Sequence, residues 1–175
     1  MNPQQDTTNA TSERITDGYD RMLQRAEHTL RAATTRSEAA LGQALDAARE
    51  MAIELGELTR EEAEKVHEFV TRDLYDLGRF MAMEEREVAD WLRLGTLVVE
   101  NELLERVSVL AREAKLELKH FEKAKRRFDE WHTGEVTTIG ILRCRHCGEL
   151  VQFRHTARIP PCPKCHASVY ERVKS

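Results

Sequence analysis

The sequence predicts a mainly α protein: an elongated antiparallel helical hairpin or three-helix coiled coil, followed by a small β module at the C-terminal end. Three observations predict this. No proline occurs between Pro3 and Pro160, a run that long helices allow and loop-rich folds rarely show. Apolar residues recur three and four positions apart through most of that run. All four cysteines then follow it as two Cys-x-x-Cys pairs set among short β-branched stretches.

Taken in order, residues 1–11 are polar, lack apolar periodicity and are expected to be disordered. Residues 12–132 form the helical region. Its first helix is expected over Ser12 to Leu55, with Ile15, Tyr19, Met22, Ala26, Leu30, Leu41, Leu45 and Ala48 on one narrow, alanine-rich stripe. A single helix of that length would reach roughly 65 Å, so the shape is expected to be elongated. The strongest local punctuation is Leu55-Gly56-Glu57-Leu58-Thr59-Arg60-Glu61-Glu62. Gly56 suits a helix C′ position, Thr59 an N-cap, Glu62 its capping-box partner, and Leu58 a staple onto Ala63. A second helix then carries Val66, Phe69, Val70, Leu74 and Leu77. A third, from about Thr96, carries Leu103, Val107 and Leu110. Gly78 and Gly95 are the candidate breaks, with Gly95 preferred because the pattern shifts beside it.

From Thr133 to Ser175 the period changes. Glu135 to Arg143 is β-branched, and Leu150 to Arg154 and Ala167 to Val173 alternate apolar with polar residues. The cysteines lie between these runs, as Cys144-Arg145-His146-Cys147-Gly148 and, after a gap of 14 residues, Cys162-Pro163-Lys164-Cys165-His166. Two thiolates on a tight turn grip one side of an ion, and a second turn closes the tetrahedron that zinc accepts. Cys144, Cys147, Cys162 and Cys165 are therefore the expected metal ligands, with iron as the alternative that the residues leave open. Four sulfurs fill all four positions, so the ion is expected to be structural. A module of this size rarely holds together by an apolar core alone, here Phe153, Ile159 and Val169. Metal loss is thus expected to melt it and spare the helices.

These features resemble a known group. The Gly56-Glu57-Leu58-Thr59 turn, the Gly134-Glu135-Val136 segment and the knuckle Cys162-Pro163-Lys164-Cys165 are similar to the YbeL-like bacterial zinc-ribbon-containing proteins of unknown function. The similarity covers residues 50 to 175. It implies a zinc ribbon, a bound metal and a bacterial cytosolic setting, and no activity. His166 departs from it, because the second knuckle commonly has glycine there.

Little else points to chemistry. His146, His155 and His166 accompany a ligand set that is already complete, and no His-Glu-x-x-His is present. Glu64 with His67, and Glu117 with His120, have the spacing of di-metal bundles but lack the further bridging carboxylates. No phosphate loop or nucleophile elbow occurs, so no catalytic residue, small-molecule substrate or enzyme activity is expected. With 33 % charged residues and no apolar run at the N-terminus, the chain carries no membrane span or visible signal peptide, and cytoplasmic residence is the expectation.

The formal charge is −4, divided unevenly. Residues 133–175 hold seven Lys or Arg against three Asp or Glu, which leaves −8 for residues 1–132. Lys115, Lys119, Lys123, Lys125, Arg126 and Arg127, with Arg143, Arg145, Arg154, Arg158 and Lys164, could follow a phosphate backbone, and Phe153 and Tyr170 could stack on bases. The acidic tip Glu54, Glu57, Glu61 and Glu62 resembles in outline the coiled-coil regulators that enter the secondary channel of RNA polymerase. The reading that combines these features is a non-catalytic adaptor whose helices recruit a protein partner or a second copy. Nucleic-acid or transcription-associated binding is the alternative.

Overall fold

The computed structural model describes residues 3–33, 40–84, 101–117 and 129–173, with side chains described over 13–33, 40–79, 102–113 and 129–173. Four helices lie in the described region: α1 (Pro3–Ala32), α2 (Ala40–Glu54), α3 (Arg60–Glu84) and α4 (Asn101–Glu117). They pack on one another, with α1 against α2, α3 and α4. This corrects the elongated hairpin or coiled coil. The stripe expected to run unbroken from Ser12 to Leu55 belongs to two helices that lie side by side. Thr34, Thr35 and Ser37, all weak helix formers, fall between them. Folding back lets the alanine-rich faces meet, with Ala26 of α1 and Ala44, Ala48 and Ala52 of α2 in one core. The N-terminal boundary differs as well. Helix α1 already begins at Pro3, inside the stretch expected to be disordered.

Tyr19, Met22 and Leu23 from α1, Leu41 and Leu45 from α2, Val66, Val70 and Leu74 from α3, and Leu103, Val107 and Leu110 from α4 fill this core. Gly78 is buried and α3 runs straight through it, so no break occurs there. Gly95 lies outside the described residues.

The turn between α2 and α3 forms as its residues require. Gly56 takes φ +68°. Its N–H donates to Ile53 O and the Glu57 N–H to Ala52 O, both at 3.0 Å, which together make a Schellman closure. Thr59 N–H donates to Glu62 at 2.9 Å and the Glu62 N–H returns to Thr59 Oγ1 at 3.3 Å. Leu58 then lies over α1, so close to Gly18 that a Cβ there would sit 2.8 Å from its Cδ1.

Past α4 the chain builds two small antiparallel sheets. The larger has the order β1 (Trp131–His132), β6 (Val169–Arg172), β3 (Gly140–Cys144), β4 (Leu150–Phe153), and the smaller pairs β2 (Val136–Thr137) with β5 (Ala157–Arg158). The β-branched run from Glu135 to Arg143 is thus divided between sheets, with Gly140 at φ +141° where it changes over. Trp131, Leu142, Phe153, Ile159 and Tyr170 form the ribbon core with Cys144 and Cys162. Tyr170 takes the place expected for Val169, which is half-buried.

Helices and ribbon are not independent. Val136 and Ile139 of the ribbon belong to the helical core. Asp73 of α3, fully buried, accepts hydrogen bonds from Tyr19 Oη (2.9 Å), Arg72 Nε (3.1 Å), Trp131 Nε1 (2.8 Å), Thr137 Oγ1 (2.7 Å) and the Thr138 N–H (3.1 Å). Arg172 of β6 pairs with it at 3.2 Å. Burial opposes the Asp73 charge, yet Arg72, Arg172, Thr137 and Trp131 hold its carboxyl below the usual carboxylate range. Arg72 also binds Glu135 and the Val136 carbonyl, and the Arg72 and Arg172 guanidiniums lie 4.9 and 4.8 Å from the Trp131 ring centroid. Asp73→Asn keeps the shape and removes the charge that two buried guanidiniums share, leaving Arg72 with Glu135 and Arg172 with Asp76 at 3.6 Å. It is expected to cost about 3–5 kcal/mol, read from the urea midpoint with far-UV circular dichroism.

Candidate metal centre

The two knuckles are the same loop built twice. In the first, Cys144 ends β3, its N–H donates to Glu149 O at 2.8 Å, and the Gly148 N–H returns to Cys144 O at 2.9 Å. In the second, the Cys162 N–H donates to Ala167 O at 3.0 Å and the His166 N–H to Cys162 O at 2.9 Å. Both loops need a left-handed residue at the fifth position, and Gly148 supplies it at φ +77° and His166 at φ +60°. Glycine adopts this freely and histidine at a cost, since its Cβ crowds the following carbonyl.

The loops bring all four sulfurs together, each within 4.8 Å of the others. Across the two knuckles, Cys144 Sγ stands 3.6 Å from Cys165 Sγ, and Cys147 Sγ 3.6 Å from Cys162 Sγ. A disulfide requires about 2.05 Å, so these are free thiols facing one another. A tetrahedron of metal–sulfur bonds near 2.3 Å has edges of about 3.8 Å, so the donor set fits one four-coordinate ion. Cys144 and Cys162 are buried, and Cys147 and Cys165 are partly open to solvent.

Crowding four sulfurs splits their acidities. Burial works against a thiolate at Cys162, but the backbone N–H groups of Cys165 and Lys164 and the neighbouring thiols draw its pKa down to about 6. The Ala167 N–H favours the Cys165 thiolate, yet desolvation and the other three sulfurs push it up to about 12. The cluster therefore resists carrying four negative charges by itself, and a divalent cation at its centre removes the conflict. Tyr170 packs beside it. Burial first, then the nearby cysteines, push its phenol to about 12, and its hydroxyl donates to Pro160 O at 2.8 Å.

The other candidate residues are not gathered here. His146, His155 and His166 are exposed. His67 lies on α3, 3.4 Å from Asp46 of α2, and burial lowers its pKa. Glu64 pairs instead with Arg49, and His120 lies outside the described residues. Three of the five candidate ribbon cations are engaged internally, Arg143 with Glu171 at 2.5 Å, Arg145 with Glu130, and Arg158 with the Gly134 carbonyl at 2.7 Å, while Arg154 and Lys164 are exposed. Phe153 and Tyr170 are buried, which withdraws both from base stacking. Three of the four residues of the acidic tip are paired, Glu57 with Arg25 and Arg21, Glu61 with Lys65 and Glu62 with Arg14, and Glu54 is exposed.

What the sequence reading missed is Asp73 with Arg172. A usable signal existed: Asp73 and Asp76 flank Leu74 and Leu77 on α3, carboxylates set inside an apolar stripe. Nothing in sequence pairs them with an arginine about a hundred residues on.

Cys162→Ser is expected to abolish metal binding and collapse the amide dispersion of residues 135–173 in a nitrogen–proton NMR spectrum. His166→Gly, which relieves the left-handed strain and removes only an exposed side chain, is expected to stabilise the ribbon by about 1 kcal/mol, read as a raised thermal midpoint.

Comparison with known proteins agrees with this architecture. "Uncharacterized protein YbeL" of Escherichia coli strain K12 is 26 % identical over 128 residues, which cover 73 % of this chain and 79 % of that protein. The proteins of that name in strain CFT073 and in Escherichia coli O157:H7 match to the same extent. No solved structure matches significantly. A family model described as a zinc-ribbon containing domain matches residues 28–174, reaching from the end of α1 through β6 and so further than the likeness first noticed in the sequence. This protein belongs to that family of zinc-ribbon containing domains.

Proposed function

We propose that this is a non-catalytic zinc protein, in which Cys144, Cys147, Cys162 and Cys165 hold one structural Zn²⁺ and the helical region serves as an adaptor for a protein partner or a second copy. One observation carries the reading. Four sulfurs close on a single point, and a tetrahedral ion with four protein ligands has no position left for water or substrate. Zinc is favoured over iron because it is redox-inert and needs no electron path, which suits a scaffold.

The helical surface supports the adaptor role. Met51 and Leu55, one turn apart at the end of α2, are 46 % and 62 % exposed, an apolar pair of the kind that helix partners engage. Free thiols poised for metal favour a reducing compartment, so the cytosol is the proposed location. Among the described residues no helix is long and apolar enough to cross a membrane. A nucleic-acid role would rest on Arg154 and Lys164, exposed on the ribbon, and on Lys115, Lys119, Lys123, Lys125, Arg126 and Arg127, whose side chains lie outside the described residues.

Metal analysis of the purified protein is expected to give one zinc per chain, and iron with a reversible redox couple would overturn the assignment. Light scattering across a concentration series, with affinity capture beside it, is expected to show self-association or one recurrent partner. Met51→Asp with Leu55→Asp should remove that association without altering the circular dichroism. Steeply salt-dependent binding to DNA or RNA would favour the nucleic-acid reading instead.

A further inference from the structure

Strand β6 touches both centres of the molecule. Tyr170 lies opposite Cys144 in the β3–β6 register and packs into the core that includes Cys144 and Cys162. Two residues on, and therefore on the same face of the strand, Arg172 enters the helical region. Its side chain is 2 % exposed, reaches Asp73 at 3.2 Å and Asp76 at 3.6 Å, and donates to Ile139 O at 3.0 Å and Thr137 Oγ1 at 2.9 Å.

Of the six groups that hold the Asp73 carboxylate, four come from the ribbon, namely Trp131, Thr137, Thr138 and Arg172. Only Tyr19 and Arg72 come from the helices. A ribbon that loosens thus leaves a carboxylate buried in an apolar helix interface without most of its partners. Such a group draws water in, and the helices must part to admit it. The parting would fall between α1 and α3, because Tyr19 of α1 shares that carboxylate and Asp20 of α1 accepts from Thr156 of the ribbon at 2.5 Å. The α2–α3 turn is tied by Glu57 to Arg25 and by Thr59 to Glu62, with no ribbon residue involved.

We propose that metal occupancy at the four cysteines is transmitted along β6 through Arg172 to Asp73, so that loss of the ion opens the packed face between α1 and α3. The ribbon is then a metal-controlled latch on the helical region. Binding and opening are thermodynamically reciprocal, so weakening the latch at Asp73 must also weaken metal binding, although Asp73 touches no ligand.

Hydrogen exchange on the full chain, zinc-loaded and after chelation, tests the first half. Amides of residues 15–26 and 66–77 are expected to exchange at least about tenfold faster without zinc, while residues 44–58 keep their protection. Unchanged exchange in α1 and α3 beside a deprotected ribbon would overturn the proposal, and so would equal loss throughout all helices. Zinc competition with a chromophoric chelator tests the second half. Asp73→Asn is expected to bind zinc about tenfold or more weakly than the wild type, and equal affinity would overturn the coupling. The latch rests on the metal reading and not on the adaptor role. Failure of the metal reading would show earlier, as purified chain without bound metal.

Discussion

A carboxylate in an apolar interior is tolerable only when its surroundings have been arranged for it, and Asp73 imposes that condition on this fold. It is fully buried on α3 and held below the usual carboxylate range by guanidinium groups from two directions. Its partners come from α1, α3, β1, β2 and β6 and from the backbone just past β2. Removing the ion from water costs several kcal/mol, and that cost is offset only while all of these elements keep their places. The pair therefore adds modestly to net stability, and a packing of the same helices that parted these elements would leave the charge stranded. Trp131 does double duty here, as a donor to Asp73 and as the ring on which Arg72 and Arg172 stack.

The four-cysteine cluster works by a different logic. Its two knuckles repeat the same hydrogen bonds, and the repetition lets two local turns, each weak alone, present four sulfurs to one point. Short loops of this kind have a small apolar complement, so a bound ion contributes a large share of what would hold them. Cys144 and Cys162 themselves help to fill the ribbon core. Metal site and core are one structure, and that structure delivers Trp131, Thr137 and Arg172 to Asp73.

Charge that looks available in sequence is largely engaged within the fold. Arg143, Arg145 and Arg158 of the ribbon and Glu57, Glu61 and Glu62 of the α2–α3 turn were among the residues that pointed towards nucleic acid and towards an acidic tip, and only Arg154, Lys164 and Glu54 of that described set stay exposed without such a pairing. Arg143 and Arg145 face Glu171 and Glu130, and Glu57 is gripped by both nitrogens of Arg25 at 2.8 and 2.7 Å. The exposed pairs of the ribbon contribute little energy, but they and the part-buried Glu57–Arg25 pair do reduce the local field that a polyanion or a metal-bound polymerase site would sense. Apolar exposure at Met51 and Leu55 is the stronger surface signal.

The sequence by itself determined whatever depends on near neighbours: the turn at Gly56 with its Thr59–Glu62 box, the apolar stripes of α3 and α4, the cysteine spacing, and the cost of His166 where the loop needs a left-handed residue. Each of these is written within a few positions, where backbone geometry and side-chain reach are fixed by covalent distance. Only the tertiary structure decided that the stripe from Ser12 to Leu55 folds back on itself, that Glu135 to Arg143 divides between two sheets, and that Tyr170 rather than Val169 fills the ribbon. It also decided that Arg172 would meet Asp73. A helical stripe states which face is apolar but not what covers it, and a charge inside that stripe does not name the partner that makes its burial bearable. Both answers depend on contacts between residues far apart in the chain, which only packing resolves.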